Sequence, residues 1–188
     1  MSFSLSLVAH IEPLEKHDKP KRIGQPVPAV DHAAQIKHEL AGHWLPDIYA
    51  HRVLRFRTRP YRFDTSRPAR VEIQHTLLGI ELKIGRRRLM CPDLATARYL
   101  SVFARIGCDE IAIPYDITRI SLLADELESS WYRMLLLVDE QSRDRSDKFR
   151  TRLRGLLFAK IRTEIGAAAG APKIEEFQQE IKQRRGRF

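Results

Sequence analysis

Residues 71–90 alternate between apolar and polar side chains, which is the pattern of β-strands that are buried on one face. A turn at Gly85 and Arg86 separates the second strand from a short return strand over residues 87–91. The pattern therefore predicts an antiparallel meander with one dry face and one wet face. The side chains expected on the dry face are Val71, Ile73, Ile80, Leu82 and Ile84.

Helical spacing of apolar residues replaces this alternation after Pro92. One helix is predicted to run from an Asp93 cap to Gly107. Another is predicted over residues 118–138, where apolar side chains recur every three or four positions. We expect this second helix to cover the dry face of the meander, including Ile80, Leu82 and Ile84. Further helices are predicted over residues 31–44, 144–165 and 174–183, and a short strand is predicted around Ile111 and Ile113.

Strands and helices occupy different parts of the chain. The predicted strands cluster between residues 52 and 90, with one more near residue 111, whereas helices dominate after residue 93. Segregation of this kind indicates an α+β fold rather than a repeated βαβ unit. We therefore expect a small antiparallel meander packed against several helices, with a helical C-terminal half.

Composition divides the chain into one folded domain and two flanking segments. Residues 1–30 hold four prolines with basic residues between them, which is typical of an extended, partly ordered arm. Asp31 is expected to cap the first helix and to open a single α+β domain over residues 31–170. Residues 171–188 add a helix and a basic tail.

The formal net charge of +9 is concentrated in two segments. Residues 52–70 contain seven arginines and a single acidic residue, Asp64, and residues 141–188 are also strongly basic. The chain between these segments is slightly acidic. Because a charge that served only solubility would be spread over the surface, this distribution indicates a polyanionic partner.

The densest cationic feature is a row of arginines. Alternation predicts a strand over residues 52–59, in which Arg55, Arg57 and Arg59 take every second position, with Arg62 close behind. Side chains on one face of a strand repeat at about 6.6 Å, which is comparable to the spacing of nucleic-acid phosphates. Forked hydrogen bonds from successive guanidinium groups could then meet successive phosphates.

The neighbours of this row leave its interpretation open. Tyr61 and Phe63 flank Arg62 and could stack on bases, which favours nucleic acid. Pro60 is expected to end the strand or to mark a sheet edge. In a second interpretation the cations only discourage edge-to-edge aggregation. In a third they pair with acidic residues of the 109–128 region or with a partner subunit.

Two other basic elements could extend the same surface. Arg86, Arg87 and Arg88 lie at the predicted hairpin tip, where side chains project into solvent. Arg145 and Lys148 share one face of the predicted 144–165 helix with Arg152. Each element could equally be a solvated surface without a partner.

Metal-dependent catalysis has one candidate set. Asp64 precedes a strand, and Glu81 and Lys83 alternate in the next apolar strand. Two carboxylates holding a divalent ion, with a lysine beside the attacking water, are a workable arrangement for phosphodiester cleavage. Ordinary charge alternation on the wet face of a strand explains the same residues, so we expect neither an enzyme nor a bound metal or other cofactor.

Histidines give a second, weaker metal candidate. His38 and His43 lie five residues apart, whereas zinc ligands on one helix face are spaced four apart. A zinc site built with His32 and His51 would need loop geometry that the sequence does not specify.

We expect a non-enzymatic binding protein that contacts nucleic acid, DNA or RNA, through phosphates and with little sequence preference. The alternative is a protein-interaction or assembly module whose arginines meet an acidic partner, with Trp44, Trp131 or Tyr132 as anchors. A metal-dependent nuclease is the lesser alternative, and a homo-oligomer is compatible with each. Two cysteines, no long apolar run and no signal-peptide pattern lead us to expect a cytoplasmic protein without a membrane partner.

Overall fold

Within residues 28–64 and 67–168, which the computed structural model describes, the chain forms five α-helices and five short strands. The helices are α1 Ala29–Leu40, α2 Leu45–Ile48, α3 Leu94–Ile106, α4 Ile117–Gln141 and α5 Asp147–Ala168. The strands are β1 Thr58–Arg62, β2 Val71–Thr76, β3 Gly79–Ile84, β4 Arg87–Cys91 and β5 Glu110–Pro114. The predicted α+β class and the helical C-terminal half are confirmed.

The strands form two antiparallel sheets. Strands β2, β3 and β4 make the predicted meander, in which Leu82 pairs with Leu89 and Val71 pairs with Ile84. Gly85 adopts a positive φ of 58° in the turn between β3 and β4, a conformation that glycine reaches without steric cost. Strand β1 pairs instead with β5 in a second, two-stranded sheet.

The helix that covers the meander is α3, not α4. Leu82 and Ile84 are buried as predicted and Ile80 is half-buried, but they pack beneath α3, which contacts all three strands. Only Pro92 and Asp93 separate β4 from α3, so the chain folds directly back over its own sheet. The prediction that helix 118–138 covers these residues was therefore wrong. Helix α4 packs on α3 and on β5.

The ends of α3 form as the sequence predicts. The Asp93 carboxylate accepts a hydrogen bond of 2.7 Å from the Thr96 N–H, which caps the first turn. Gly107 ends the helix with a φ of 83°, in the left-handed region. A Cβ atom at this position would lie 2.4 Å from backbone atoms of Arg67 and Pro68, so the loop before β2 packs directly on the glycine.

Helix α1 begins earlier than predicted. Its first residue is Ala29, and Pro28 occupies the cap position without a side-chain hydrogen bond. Asp31 lies in the first turn instead, where a carboxylate still interacts favourably with the positive end of the helix dipole. Most of the predicted arm over residues 1–30 lies outside the described residues, as does the whole segment 171–188.

The strand predicted over residues 52–59 was wrong in its position. Residues Tyr49–Val53 continue the helical path of α2 as a wide π turn, and the side chains of Tyr49 and Val53 are both buried in the core. The strand starts only at Thr58. Pro60 lies within β1 rather than at its end, and this is possible because its missing N–H is not needed at the unpaired edge of the strand.

Two buried tyrosines hold β5 on the side away from β1. The Ala112 N–H donates to the Tyr49 hydroxyl at 2.7 Å, and the Tyr99 hydroxyl donates to the Ala112 carbonyl at 2.7 Å. Burial raises the pKa of Tyr49 to about 12, so its hydroxyl stays protonated. The core on this side is closed by the α4 stripe, whose buried members are Ile120, Leu123, Leu127, Trp131, Met134 and Val138.

In the described part of the chain, no helix has both the length and the apolar character required to cross a membrane. Cys91 and Cys108 are free and buried, as expected for small core residues. Burial raises the pKa of Cys91 to about 11 and that of Cys108 to about 12.

Candidate functional site

Two arginines of the predicted row do share one side of an extended segment. Arg59 lies opposite Ile113 in the β1–β5 ladder. The Tyr115 N–H donates to the Arg57 carbonyl at 3.2 Å, which continues the pairing one step beyond β1. Because side chains alternate along an extended chain, Arg57 and Arg59 point to the same side. The Arg57 guanidinium lies 5.0 Å from the centre of the Tyr115 ring.

Arg55 does not belong to this strand. It lies in the turn that follows the π turn, where the Phe56 N–H donates to the Val53 carbonyl at 3.2 Å. Its side chain is exposed, and so is more than a third of the neighbouring Phe56. Arg119, from the first turn of α4, lies 5.1 Å from the centre of the Phe56 ring. The row is thus a turn arginine, Arg55, followed by Arg57 just before β1 and Arg59 within it.

Arg62 is on the opposite face of β1 from Arg59, since three positions separate them. Its guanidinium pairs with the Glu110 carboxylate of β5 at 2.9 Å, and both side chains are largely exposed. The predicted alternative, pairing with the acidic 109–128 region, is therefore correct for this arginine.

The hairpin tip meets the end of β1, so the two arginine-rich segments come together. Arg87 forms an ion pair with Asp64, just beyond β1. A shallow cleft of about 70 Å³ lies between the two segments, lined by Arg62, Arg87 and Arg88 together with Leu82 and Ile84 of β3. Strand β1 therefore leads from the Arg57–Tyr115 stack to the hairpin tip. We call the seven side chains along this path the arginine surface: Arg55, Arg57, Arg59, Arg62, Arg86, Arg87 and Arg88.

The members of the arginine surface differ in what they contact. Arg88 pairs with Glu81 at 3.6 Å, and Glu81 itself is buried. In contrast, Arg55, Arg59 and Arg86 are exposed and have no hydrogen-bond or ion-pair partner among residues 28–64 and 67–168. These three cations are satisfied only by solvent within the described fold.

Tyr61 and Phe63 cannot serve as stacking surfaces as predicted. Phe63 is buried and Tyr61 is half-buried, and their rings meet edge to face at 5.1 Å. Burial raises the pKa of Tyr61. The exposed aromatic rings that lie beside the arginines of this segment are Phe56 and Tyr115. The sequence did not mark Tyr115 because it follows β5 far along the chain.

The basic side chains of α5 form a separate patch. Arg145 precedes the helix and lies over the Phe149 ring at 5.6 Å, so only Lys148 and Arg152 share a helical face. Further along α5, Arg162 donates to the Ile106 carbonyl at 2.9 Å. Because a helix rises 1.5 Å per residue, Lys148 lies about 21 Å from Arg162 along the axis of α5.

The proposed nuclease residues are on different faces of the meander. Glu81 and Lys83 alternate with Leu82 and lie on the other face of the meander, where Glu81 is buried beside Arg88 and Lys83 pairs with Glu72 at 3.3 Å. Hydrogen bonding and the charges of Lys83 and Arg70 lower the pKa of Glu72. Asp64 instead lies at the cleft on the Leu82 side, paired with Arg87. The structure does not assemble this catalytic set.

Among the described residues, the histidines form no metal site and both tryptophans proposed as anchors are buried. His32 bonds Gln141 at 2.9 Å through Nδ1, and across the described residues no three histidine, cysteine or carboxylate side chains converge as metal ligands would. Trp44 and Trp131 are buried core residues, which makes them unavailable as partner anchors. Tyr132 alone of the three predicted anchors is exposed.

Fold and surface together define an α+β protein with an arginine-rich sheet edge. No family model, curated protein or solved structure matches the chain. Function is therefore inferred from surface chemistry alone.

Proposed function

We propose that the protein binds nucleic acid with little sequence preference, and that the arginine surface makes the phosphate contacts. The single observation that carries the proposal is the state of Arg55, Arg59 and Arg86, which are exposed and have no partner in the described part of the chain. A guanidinium group presents a rigid fork of donors that matches a phosphate, so unpaired arginines are suited to a polyanion.

The paired arginines remain available to phosphates. Arg62 and Arg87 pair with Glu110 and Asp64, and all four side chains are about half exposed or more. Exposed ion pairs of this kind contribute about 0–1 kcal/mol, because water screens the attraction and ordering two long side chains costs entropy. A phosphate can therefore compete for the same guanidinium groups at little cost.

Two aromatic rings add a contact for unpaired bases. Tyr115 is 56% exposed and Phe56 is 38% exposed, and each has an arginine stacked on it. Bases stack on exposed aromatic rings with little regard to sequence, while adjacent arginines hold the backbone. This combination favours single-stranded over double-stranded nucleic acid.

The patch with Arg145, Lys148 and Arg152 is auxiliary in this proposal. Lys148 and Arg152 are exposed, but they lie on α5, which packs chiefly on α1 and α2 rather than on β1 or the meander. A short oligonucleotide should therefore engage the arginine surface only.

The test is equilibrium binding of the purified full chain to labelled single-stranded and double-stranded oligonucleotides at several salt concentrations. If Arg55, Arg59 and Arg86 alone neutralise phosphates, the slope of log K against log salt should be roughly −2 on single strands and −3 on duplex, and it becomes steeper if the paired arginines also take part. Unrelated sequences should bind alike, since phosphates carry no base identity. Absence of binding at low salt would remove the proposal and leave an acidic protein partner for the same arginines.

A further inference from the structure

Helix α4 exposes apolar side chains on the face opposite its core stripe. Leu122 is 59% exposed and Leu136 is 68% exposed, and half of Tyr132 is also accessible. Solvent-facing positions of an amphipathic helix are usually polar, so such a face indicates a contact surface. No other described segment covers it.

The sequence of this face is self-complementary about Ser129. Leu122 and Leu136 each lie seven residues from Ser129, on either side of it. Asp125 and Arg133 each lie four residues from it, with opposite charges. Arg119 and Asp139 each lie ten residues from Ser129, on either side of it, and also carry opposite charges. The central side chain is small, which allows two helices to approach closely.

We infer that α4 docks against α4 of a second copy of this chain, antiparallel, with the two-fold axis passing Ser129. In such an isologous contact a residue on one copy meets the residue equally far on the other side of the axis in its partner. Leu122 then meets Leu136, and Asp125 meets Arg133. An unrelated partner would give no reason for this internal symmetry, whereas a second copy requires it.

Of the charged side chains used above, Arg133 and Asp125 are accessible to the contact, whereas Asp139 already pairs with Arg150 and Arg154 at 3.5 Å. Arg133 is exposed and has no hydrogen-bond or ion-pair partner among the described residues. Asp125 holds Arg98 at 2.8 Å within its own chain, but the Asp125 side chain is still 60% exposed. Beside Leu136, an open groove lined by Asp139, Glu140, Arg143 and Arg150 leaves room for the side chain of the approaching Leu122.

The expected dimer is weak. One helix pair buries less than the roughly 1,600 Å² of a standard interface. We therefore expect a dissociation constant in the micromolar range, on the order of 1–100 µM. The proposed nucleic-acid contact and the dimer contact share one residue, Arg119, which lies against the Phe56 ring. The seven members of the arginine surface lie outside α4.

Sedimentation equilibrium of the full chain tests the inference first. The mass should rise with concentration from 21.8 kDa to twice that value. Leu122→Asp and Leu136→Asp should each weaken the association about tenfold or more, because a carboxylate would enter an apolar contact twice per dimer. Leu77→Asp is the matched control, since Leu77 is fully exposed on the β2–β3 turn and its replacement should change nothing.

Exchanging the charges of Asp125 and Arg133 tests specifically for a contact with a second copy of this chain. Asp125→Arg and Arg133→Asp should each weaken dimerisation, since like charges would face each other across the axis. The double variant should recover it, and an equimolar mixture of the two single variants should form a heterodimer. Within one chain these positions lie about 12 Å apart along the helix, so recovery cannot arise within a monomer. Asp125→Arg also places a cation beside Arg98 of the same chain. Because this repulsion is present in both the single and the double variant, it does not affect the comparison of their association.

A cross-linking experiment covers variants that fold poorly. Both native cysteines are buried, so Ser129→Cys provides one accessible thiol next to the axis. A short bifunctional thiol reagent should then give a covalent dimer, whereas Leu77→Cys should give none. A monomer up to about 100 µM, or a failure of the double charge variant to recover association, would overturn the inference. If the thiol introduced by Ser129→Cys is unreactive in a monomer, the chain covers this face itself, which would also overturn it.

Discussion

The guanidinium group of Arg57 lies 5.0 Å from the centre of the Tyr115 ring, which joins the arginine row to an aromatic ring 58 positions later in the chain. This contact exists because β5 pairs with β1 and the pairing extends to these two residues. It places an exposed aromatic ring beside a cationic segment, which is the platform that the proposed stacking and phosphate contacts require.

Removal of the Tyr115 ring tests that platform. Tyr115→Ala should weaken binding to a single-stranded oligonucleotide by about 1–3 kcal/mol, the usual contribution of one base stacked on an aromatic ring. Tyr115→Phe retains the ring and serves as the control, with little change expected. Fluorescence anisotropy on single-stranded and duplex oligonucleotides measures both. Equal losses for the two variants, or no loss for either, would contradict a stacking role.

Gly107 should be intolerant of any side chain. Its φ is positive, and an added Cβ would lie 2.4 Å from the backbone of Arg67 and Pro68. Gly107→Ala should therefore destabilise the fold by about 2–4 kcal/mol, since both strain and a backbone clash act together. Gly155→Ala is the matched control, because nothing lies within 4 Å of its Cβ position in α5. That variant should stabilise the helix by about 0.5–1 kcal/mol, and urea denaturation compares the two.

Tyr49 should matter through its hydroxyl. Tyr49→Phe removes the acceptor for the buried Ala112 N–H, and an unsatisfied buried donor costs about 1–3 kcal/mol. Tyr132→Phe, an exposed tyrosine on α4, should change the free energy of unfolding by less than about 0.5 kcal/mol. Equal unfolding free energies for the two variants would show that the hydroxyl does not support β5.

Glu164 predicts a pH dependence with a definite sign. Its burial opposes ionisation, but hydrogen bonds from Lys37 at 2.7 Å and Trp44 at 2.6 Å outweigh this effect and lower the pKa of Glu164. A lowered pKa in the folded state means that the stabilisation is present above the ordinary carboxyl pKa and is lost as the pH falls through the folded value. Glu164→Gln should lose this component.

Urea denaturation near neutral pH and near pH 3 measures the effect, with the difference between parent and Glu164→Gln shrinking at acid pH. Trp44 fluorescence reports unfolding of the same region, since its ring is fully buried. Glu126→Gln is a control on a more exposed pair, Arg52–Glu126, and should show a smaller difference. A difference for Glu164→Gln that grows on acidification would contradict the sign.

Local patterns predicted the elements whose signals are local. Alternation with a glycine turn gave the meander, and Asp93 with Gly107 gave both ends of α3. The strand predicted over residues 52–59 was misplaced because the alternation of side chains starts only after Val53. Tyr49 and Val53 are both buried, one turn apart, and they extend the helical path of α2. Pro60 fits within β1 only because this strand lies at the edge of its sheet.

The site was predictable in composition but not in geometry. The sequence named the arginines, and the hairpin tip did come to lie beside Arg62. It could not show that Asp64, Glu110 and Glu81 would pair with three of them, or that Tyr61 and Phe63 would turn inward. Those outcomes depend on which strand β1 pairs with and on which helix covers the meander. Neither choice has a signal within a short window of sequence.

The most direct measurement is the salt dependence of binding for two triple variants. Arg55, Arg59 and Arg86 are replaced by Gln in one, and Arg105, Arg143 and Lys160 in the other, so the change in net charge is identical. Each neutralised phosphate contributes about −0.9 to the slope of log K against log salt on duplex and about −0.7 on single strands.

The first variant should flatten this slope by roughly 2–3 units, with a similar loss of affinity for unrelated sequences. The second should keep the slope of the parent protein. The first should retain the parent's unfolding free energy within about 1.5 kcal/mol, since its three side chains are exposed and such substitutions cost about 0.5 kcal/mol each at most. Equal slopes for the parent and the first variant, or equal flattening by both variants, would contradict the account, because the arginine surface would then not be where phosphates bind.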